Sequence, residues 1–498
     1  MNQNSESQYI LSSKASIISF GTFAISFSHL IAAVVLSYTI SKAEYGAFRQ
    51  VWLIYRTMIP ILTLGLPYSI NYFIPQMKTP HQKAINLQTY LILAVSGFIL
   101  SLLFFFGAPL IGIWFNNPSL KGLLQIFSLV PLLTFPTLYY QNLFVCLNKA
   151  VLATKLSLLM ALGYFVSITI PVLLGYSVKE IFISFTAYSL IQLILVSILI
   201  FRPFNTIKIQ WTKPLIRKQL KYAIPIGLAA VVGILNRQLD KFVISSMFSV
   251  SQFATYVNGA FEIPLIGILT GSVTAVLMPE FVKLWHDQNR DDLMKIWHSA
   301  IRKVALILYP VMFFQIAYAP EIMTVLFSYK YLDSAVIFRI YSLALLVRIT
   351  NFGMVLLSLG LSAIVLRYSI LTFLLNIVLN IFLLKTIGFA GPAIATVIVI
   401  FSMNFLQLKR IGSEIKIPMR DIFPWIKLLH LFLLSFLTAA SVYFIKGIFP
   451  FKGNLLILLQ GGVLFCVFFL ILGLALKILT RQDILMPVHI IRGIMKNK

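Results

Sequence analysis

The stretch NLLILLQGGVLFCVFFLILGLAL occupies residues 454–476 and contains no charged side chain in 23 consecutive positions. As a helix it would be about 35 Å long, enough to cross a hydrocarbon core of ~30 Å. Backbone polar groups find no water inside lipid, so a lone segment satisfies them only as a helix. The stretch therefore predicts a transmembrane helix.

The same apolar pattern recurs along the whole chain. Apolar residues make up 59% of the 498 positions and charged residues 11%, far from the composition of a soluble domain. We predict an all-α integral membrane protein with about fourteen transmembrane helices. The predicted spans are 16–39, 47–74, 85–106, 122–146, 151–175, 180–201, 220–245, 253–279, 299–318, 336–358, 361–384, 390–408, 423–446 and 454–477.

The basic residues collect on alternate loops. With the N-terminus inside the cell, 27 of the 40 Lys and Arg residues lie in cytoplasmic loops or ends and 8 lie in outer loops. This asymmetry follows the positive-inside rule and predicts that both termini are cytoplasmic. Topology and attraction to anionic membrane lipid explain the net charge of +26, so we predict no nucleic-acid partner.

A weak internal repeat divides the predicted helices into two sets. Pro60 and Pro75 bracket span two, and Pro264 and Pro279 bracket span eight with the same separation. Six spans separate the copies, so both enter the membrane in the same direction, as in a parallel repeat. The predicted domains are an N-terminal six-helix bundle, a cytoplasmic linker, a C-terminal six-helix bundle, and two additional helices with a cytoplasmic tail, over 1–201, 202–219, 220–411 and 412–498.

Ionisable residues inside the spans indicate function, because each costs at least ~2.5–3.5 kcal/mol to insert at the bilayer centre. The candidate cargo-binding cations, in or at the edges of the spans, are Arg49, Arg56, Arg237, Lys241 and Arg348. They outnumber the carboxylates within the spans, Asp240 and Glu262. The excess of positive charge favours an anionic cargo.

Internal pairing is the alternative interpretation of these charges. Asp240 lies beside Lys241 and one helical turn from Arg237, so it can neutralise either cation, and Glu262 can neutralise another. Arg56 and Arg348 have no obvious acid near them in the sequence, which favours a water-filled cavity around both.

Three further polar residues lie in or near the spans without a decisive pattern. His29 in span one is either a hydrogen-bonded packing residue or a proton carrier that couples transport to a gradient. Asn71 and Asn351 either contact sugars or form hydrogen bonds between helices. We keep all three as candidates for the substrate or coupling site.

Tryptophan and cysteine are informative mainly through position. The tryptophans lie near predicted span ends, which is typical of interfacial anchors; they are Trp52, Trp114, Trp211, Trp285, Trp297 and Trp425. Cys146 and Cys466 offer neither a disulfide framework nor metal-ligand spacing. We therefore predict no metal and no cofactor.

Enzyme motifs are absent from the sequence. It contains no G-x-x-x-x-G-K-[ST] phosphate loop, no H-E-x-x-H zinc motif and no G-x-S-x-G nucleophile elbow. We therefore predict a transporter without its own ATPase or hydrolase. Uphill transport would then draw on a proton or sodium gradient, the membrane potential, or consumption of the product.

Several short segments resemble one family of exporters. They are residues 40–48 (ISKAEYGAF), 221–225 (KYAIP), 237–242 (RQLDKF), Tyr256 and 278–280 (MPE). These segments and the span count are similar to the polysaccharide-biosynthesis branch, which includes the O-antigen flippases, of the multidrug/oligosaccharidyl-lipid/polysaccharide (MOP) exporter superfamily. Ala254 stands where that family usually has glycine, a departure that touches no chemistry.

The resemblance implies a flippase of the bacterial inner membrane. Its cargo would be an oligosaccharide repeat unit linked to undecaprenyl pyrophosphate, moved to the outer leaflet for O-antigen, capsule or exopolysaccharide synthesis. The five cations would form the pyrophosphate site of a central cavity, with alternating access around it. The polymerase and chain-length regulator of the pathway are the implied protein partners.

Three alternatives remain open. A drug/cation antiporter of the superfamily would typically have twelve helices and acidic residues in the first bundle, whose span interiors here contain none. A flippase for the peptidoglycan lipid precursor tends to have several arginines in helix one, and span one has none. A membrane glycosyltransferase usually needs a large outer loop, and the predicted outer loops are short.

Overall fold

The structure is a computed structural model that describes residues 3–208, 213–448, 453–480 and 483, except the side chains of 3–17, 213, 214, 447 and 448. All regular secondary structure in these ranges is helical, which confirms the predicted all-α class. Contacts divide the chain into two compact units, Met1–Val257 and Asn258–Lys498. Residues 209–212 of the predicted linker and most of the predicted tail lie outside the described ranges.

Eleven α-helices begin in the described part of the first unit, and the last of them crosses its boundary. They are α1 (Gln3–Thr39), α2 (Lys42–Thr63), α3 (Leu66–Gln76), α4 (Thr79–Trp114), α5 (Ser119–Phe127), α6 (Leu129–Thr134), α7 (Tyr140–Cys146), α8 (Ala150–Leu173), α9 (Val178–Phe201), α10 (Lys213–Met247) and α11 (Val250–Gly259). Short 3₁₀ turns lie at Phe135–Thr137 and Arg202–Phe204.

Nine α-helices lie in the described part of the second unit. They are α12 (Pro264–His286), α13 (Arg290–Ala317), α14 (Ala319–Phe327), α15 (Ser334–Ser342), α16 (Phe352–Ser358), α17 (Ser362–Ile387), α18 (Gly391–Ile415), α19 (Trp425–Ile448) and α20 (Asn454–Ala475). Its 3₁₀ turns lie at Tyr329–Tyr331, Leu343–Leu346 and Gly388–Ala390.

The helices of the structure give fewer candidate membrane crossings than the fourteen that the sequence predicts. By length and composition, 11 stretches among the described residues can cross a membrane, or 12 if α2 and α3 form one bent span. One of these stretches, 362–415, contains both α17 and α18, which pack against each other. Thr372 of α17 donates a hydrogen bond to the sulfur of Met403 in α18 at 3.6 Å, so the chain reverses between them. The exact number of fourteen stays a prediction.

Four predicted spans are interrupted: spans two and four, and the corresponding spans eight and ten of the predicted repeat. Span two bends by 41° between α2 and α3, and span eight breaks between α11 and α12. Spans four and ten each contain a 3₁₀ turn between short helices. Pro264 is the first residue of α12, a position where its missing N–H costs nothing.

Two tryptophans contradict the predicted interfacial role. Trp52 and Trp297 are buried among other aromatic rings, because their large apolar surfaces pack inside the helix clusters rather than at span ends. Trp114 and Trp425 are exposed, as an anchoring role requires. Trp211 lies outside the described residues.

Candidate functional site

Helix α2 presents one charged side chain from an otherwise enclosed stretch. Its capping box, in which Ser41 and Glu44 bond each other's backbone N–H groups, fixes where the helix begins. From Tyr45 to Thr57 nearly every residue is buried, whereas Arg56 is exposed. An accessible guanidinium on an enclosed apolar helix is the geometry expected of a residue that lines a water-filled cavity.

His29 of α1 holds the Arg56 guanidinium in place. Arg56 Nη2 lies 2.9 Å from His29 Nδ1, and the guanidinium carbon lies 5.3 Å from the centre of the Trp52 ring. Arginine can only donate hydrogen bonds, so Nδ1 of His29 accepts and carries no proton. Neither partner is an anion, so these two contacts orient Arg56 without cancelling its charge.

A bed of aromatic rings supports this pair. Trp52 packs edge-on against Tyr55, Tyr164 and Phe185 with ring centroids 5.2–5.7 Å apart. The centroids of the His29 and Tyr164 rings are 4.0 Å apart. The role of Tyr164 could not be predicted from the sequence, because an aromatic residue in an apolar span carries no signal of which side chain it supports.

Helix α10 packs against α2 in the first unit. Near one end Gln50 donates a hydrogen bond to Ser245 at 2.8 Å. Near the other end, Gly65 and Gly227 allow the two backbones to meet: any Cβ at Gly227 would overlap the backbone of Leu64. Gly65 also has a φ of 77°, which favours glycine at the bend between α2 and α3.

These contacts place Arg56 and Arg237 at the same height along the two helices. Arg56 lies six residues from Gln50, and Arg237 lies eight residues from Ser245, so they are about 9 Å and about 12 Å from the shared contact. Both side chains are exposed. Two of the five predicted cations therefore lie at distances along the helix axes that differ by only about 3 Å.

Lys241 is balanced by the acid that precedes it on α10. Its Nζ lies 3.3 Å from Oδ1 of the fully buried Asp240 and also donates to the carbonyl of Arg237 at 3.1 Å. Tyr256 of α11 donates to Asp240 Oδ2 at 2.9 Å. The predicted pairing of Asp240 with Lys241 is therefore present, and Tyr256 is a partner of Asp240 that the sequence did not indicate.

In the second unit Arg348 forms an ion pair with Glu262. Both residues lie at interruptions of predicted spans: Glu262 between α11 and α12, and Arg348 between a 3₁₀ turn and α16. Arg348 has no acid near it in the sequence, but the fold supplies one, so the interpretation that left Arg348 unpaired is wrong. The cation that Glu262 neutralises is Arg348. About 86 residues of sequence separate the partners, so spacing along one helix could not reveal the pair.

The remaining candidates have local partners. Arg49 donates to the Tyr45 hydroxyl at 2.6 Å and lies 5.5 Å from the centre of that ring. The oxygen of Asn351 accepts from the backbone N–H of Met354 at 3.0 Å and so caps α16, a structural role. Asn71 is exposed on α3, where its oxygen lies 3.5 Å from the sulfur of Cys146.

The described residues contain no group of three or more His, Cys, Asp or Glu side chains that could hold a metal ion. Coupling to a proton or sodium gradient stays a prediction. The chemistry that the described site offers is anion binding by guanidinium groups in a partly apolar setting.

The sequence matches one family model over more than half its length. The model is described as "Polysaccharide biosynthesis protein" and matches residues 35–336. An uncharacterized membrane protein of Methanocaldococcus jannaschii is 22% identical over an alignment of 404 residues that covers 76% of this chain and 79% of that protein.

Solved structures share the fold. The lipid II flippase MurJ in an inward closed conformation superposes with a TM-score of 0.71 at 17% identity, covering 92% of this chain and 97% of its own. An inward-facing multidrug resistance MATE family transporter of the MOP superfamily gives 0.66 at 14% identity, covering 78% and 95% respectively. At this identity the likeness concerns the fold alone.

Proposed function

The chain belongs to the polysaccharide biosynthesis protein family and has the fold of the MOP exporter superfamily, and from this premise we propose that it is a flippase. Its cargo is an oligosaccharide repeat unit linked to undecaprenyl pyrophosphate. The protein moves this cargo from the cytoplasmic to the outer leaflet of the bacterial inner membrane, for O-antigen, capsule or exopolysaccharide synthesis.

The observation that supports this proposal best is the exposed guanidinium of Arg56, whose two described contacts include no carboxylate. Its two closest described partners, His29 and Trp52, are uncharged in the observed arrangement. Arg237 lies at the same height on the neighbouring helix. An oxyanion that enters at this height meets positive charge with little competition from carboxylates, since Asp240 is already bonded to Lys241 and Tyr256.

The guanidinium of Arg56 suits pyrophosphate in particular. It has five N–H donors in a planar fork, of which the bond to His29 uses one, so others remain to bind two phosphate oxygens. The polyprenyl tail stays in the bilayer, where it costs no desolvation. Lys241 and Arg348, which are balanced by Asp240 and Glu262, contribute less to cargo binding than Arg56.

Energy coupling follows from the same contact. A proton on Nδ1 of His29 would break the hydrogen bond to Arg56 and place two positive charges side by side. Protonation of His29 and release of the guanidinium toward the cargo are therefore linked. We propose that a proton gradient biases alternating access through this pair, with the site open to one side of the membrane at a time.

Reconstitution tests the proposal directly. Proteoliposomes carry a short-chain lipid-pyrophosphate oligosaccharide, and leaflet translocation is measured for the wild type and for Arg237→Ala, with and without a pH gradient. We expect transport by the wild type, faster with the gradient, and at least tenfold slower transport by the variant, since a charge-assisted hydrogen bond contributes about 1.5–3 kcal/mol.

Two controls make the result specific. Lys155→Ala removes an exposed cation of α8 outside the site and should leave the rate unchanged. Equal folded protein in all vesicles is verified by its unfolding temperature in detergent. If Arg237→Ala and Arg56→Ala both transport at the wild-type rate, the assignment of the anionic site is wrong.

A second candidate function is translocation of the peptidoglycan lipid precursor, which the likeness to MurJ favours at the level of fold. The same vesicles loaded with that precursor separate the two. Transport of the precursor but not of the O-antigen type of oligosaccharide would favour this second function, whereas efflux of organic cations alone would favour an antiporter.

A further inference from the structure

A groove on the second unit combines an apolar wall with a ladder of polar and basic side chains. It lies between α12 and α13 and has a volume of about 790 Å³, within the ~300–1,000 Å³ range of small-molecule sites. Val273 and Val276 of α12 and Ile307 of α13 form part of the apolar wall. None of the residues assigned to the cargo site lines it.

The polar side of the groove is a single stripe on α13. Lys295, Ser299 and Lys303 are spaced four residues apart, so they lie along one face of the helix. All three are exposed. Lys295 forms an ion pair with Asp292, with 3.0 Å between Nζ and Oδ1. Lys303 forms no ion pair with any described residue.

Lys303 lies near the charged end of α13, four residues inside the predicted span 299–318. It is thirteen residues, or about 20 Å, from the first residue of the helix. Ser272 of α12 lies fourteen residues before the last residue of its helix, so the two are at the same height on either side of the groove. A lysine this close to the end of a span reaches the interface with its ammonium group, where the anionic head groups of lipids lie.

We propose that this groove binds an anionic glycerophospholipid of the surrounding leaflet. The phosphate lies on Lys303 and the Lys295 end of the stripe, and one acyl chain lies along the wall of Val273, Val276 and Ile307. Basic grooves between transmembrane helices on the cytoplasmic side are a recurrent site for anionic head groups. The short 287–289 connection beside the stripe is on the side that charge placement predicts to be cytoplasmic.

Charge and shape favour this occupant over others. A second protein chain would need a broad face, whereas the groove is as wide as one helix pair. A neutral lipid would fill the apolar wall but leave Lys303 without an anion. The proposal is independent of the cargo, because it concerns a lipid that stays in its leaflet.

Native mass spectrometry of the delipidated full-length protein tests the site. The protein in detergent is titrated with phosphatidylglycerol and with phosphatidylcholine of the same acyl chains. We expect tighter binding of phosphatidylglycerol to the wild type, and a loss of about fivefold in its affinity for Lys303→Gln with phosphatidylcholine unchanged. Lys303→Arg should retain the preference.

Two further variants distinguish binding of the lipid head group from binding of its acyl chain. Ser272→Trp fills the groove without changing charge and should weaken both lipids, while Lys155→Gln, a matched loss of an exposed lysine on α8, should weaken neither at this site. Equal affinity of the two lipids for the wild type, or wild-type binding by Lys303→Gln, would overturn the proposal. So would displacement of phosphatidylglycerol by an equimolar polyprenyl phosphate, or a dimer that Ser272→Trp disrupts.

Discussion

Arg56 in the first unit and Arg348 in the second unit have similar sequence contexts and different surroundings. Each is an arginine in a predicted span with no acid within one or two helical turns. Arg56 lies against a neutral histidine and a tryptophan ring, whereas Arg348 forms an ion pair with Glu262. The contacts of Arg56 orient its guanidinium without neutralising it. The ion pair of Arg348 neutralises the guanidinium and links two interruptions of predicted spans.

The comparison shows that a partner, more than the arginine itself, decides what an intramembrane cation does. A neutral acceptor leaves the field of the guanidinium available to an incoming anion, while a carboxylate uses it up. Asp240 and Lys241 extend the comparison, because they form the same kind of compensated pair in the first unit, with the carboxylate fully buried. The first unit therefore contains both kinds of site.

The largest effect is expected from breaking the buried pair of the first unit. Asp240→Asn leaves Lys241 beside a neutral amide and removes an acceptor of Tyr256, which should lower the free energy of unfolding by about 3 kcal/mol. Thermal unfolding in detergent measures it. Asp291→Asn, an exposed carboxylate, is the control, and the double variant Asp240→Asn/Lys241→Gln should recover part of the loss.

Removing each arginine in turn tests the comparison most directly. Arg56→Ala should slow lipid-pyrophosphate translocation by 10- to 100-fold, about 1.5–3 kcal/mol, because it deletes the uncompensated cation of the proposed pyrophosphate site. Arg348→Ala should slow it far less, since Glu262 already balances its charge. Equal losses for the two variants, at equal folded protein in proteoliposomes, would contradict the distinction between them.

An ion pair between Arg302 of α13 and Asp483, which lies beyond the last predicted span, sharpens the comparison through pH. Burial raises the pKa of Asp483, but hydrogen bonds from Arg302 and Thr480 outweigh it and lower the pKa from 3.8 to about 2. The depressed pKa stabilises the fold above about pH 4, and this stabilisation, about 2 kcal/mol, is lost as pH falls through about 2. The unfolding temperature of the wild type should exceed that of Asp483→Asn from pH 8 to 5, and the two should converge toward pH 2.

The smallest effect is expected from the half-exposed pair of the second unit. Glu262→Gln should lower the free energy of unfolding by no more than about 1 kcal/mol, because solvent screens a pair whose side chains are 35% and 42% exposed. A double-mutant cycle with Arg348→Gln measures the coupling. A coupling energy above that of Asp240 and Lys241 would reverse the order of the two pairs.

Much of the fold could be predicted from local patterns. Long uncharged stretches such as 454–476 require helices in a membrane, and proline at position 264 indicates a helix start. The pairing of Asp240 with Lys241 was one of two predicted options, because neighbouring residues on a helix are close in any fold. The support of Arg56 by Tyr164 and the burial of Trp52 and Trp297 could not be predicted, because they depend on which helices meet.

The sequence by itself determined that this chain crosses the membrane many times as helices, that its basic residues collect on alternate predicted loops, and that its predicted spans contain more cations than carboxylates. These properties follow from hydrophobicity and charge position, which act residue by residue. Only the tertiary structure decided which of these two arginines, Arg56 or Arg348, has a carboxylate partner. His29 reaches Arg56 across 27 residues and Glu262 reaches Arg348 across 86, and such long-range contacts arise from helix packing.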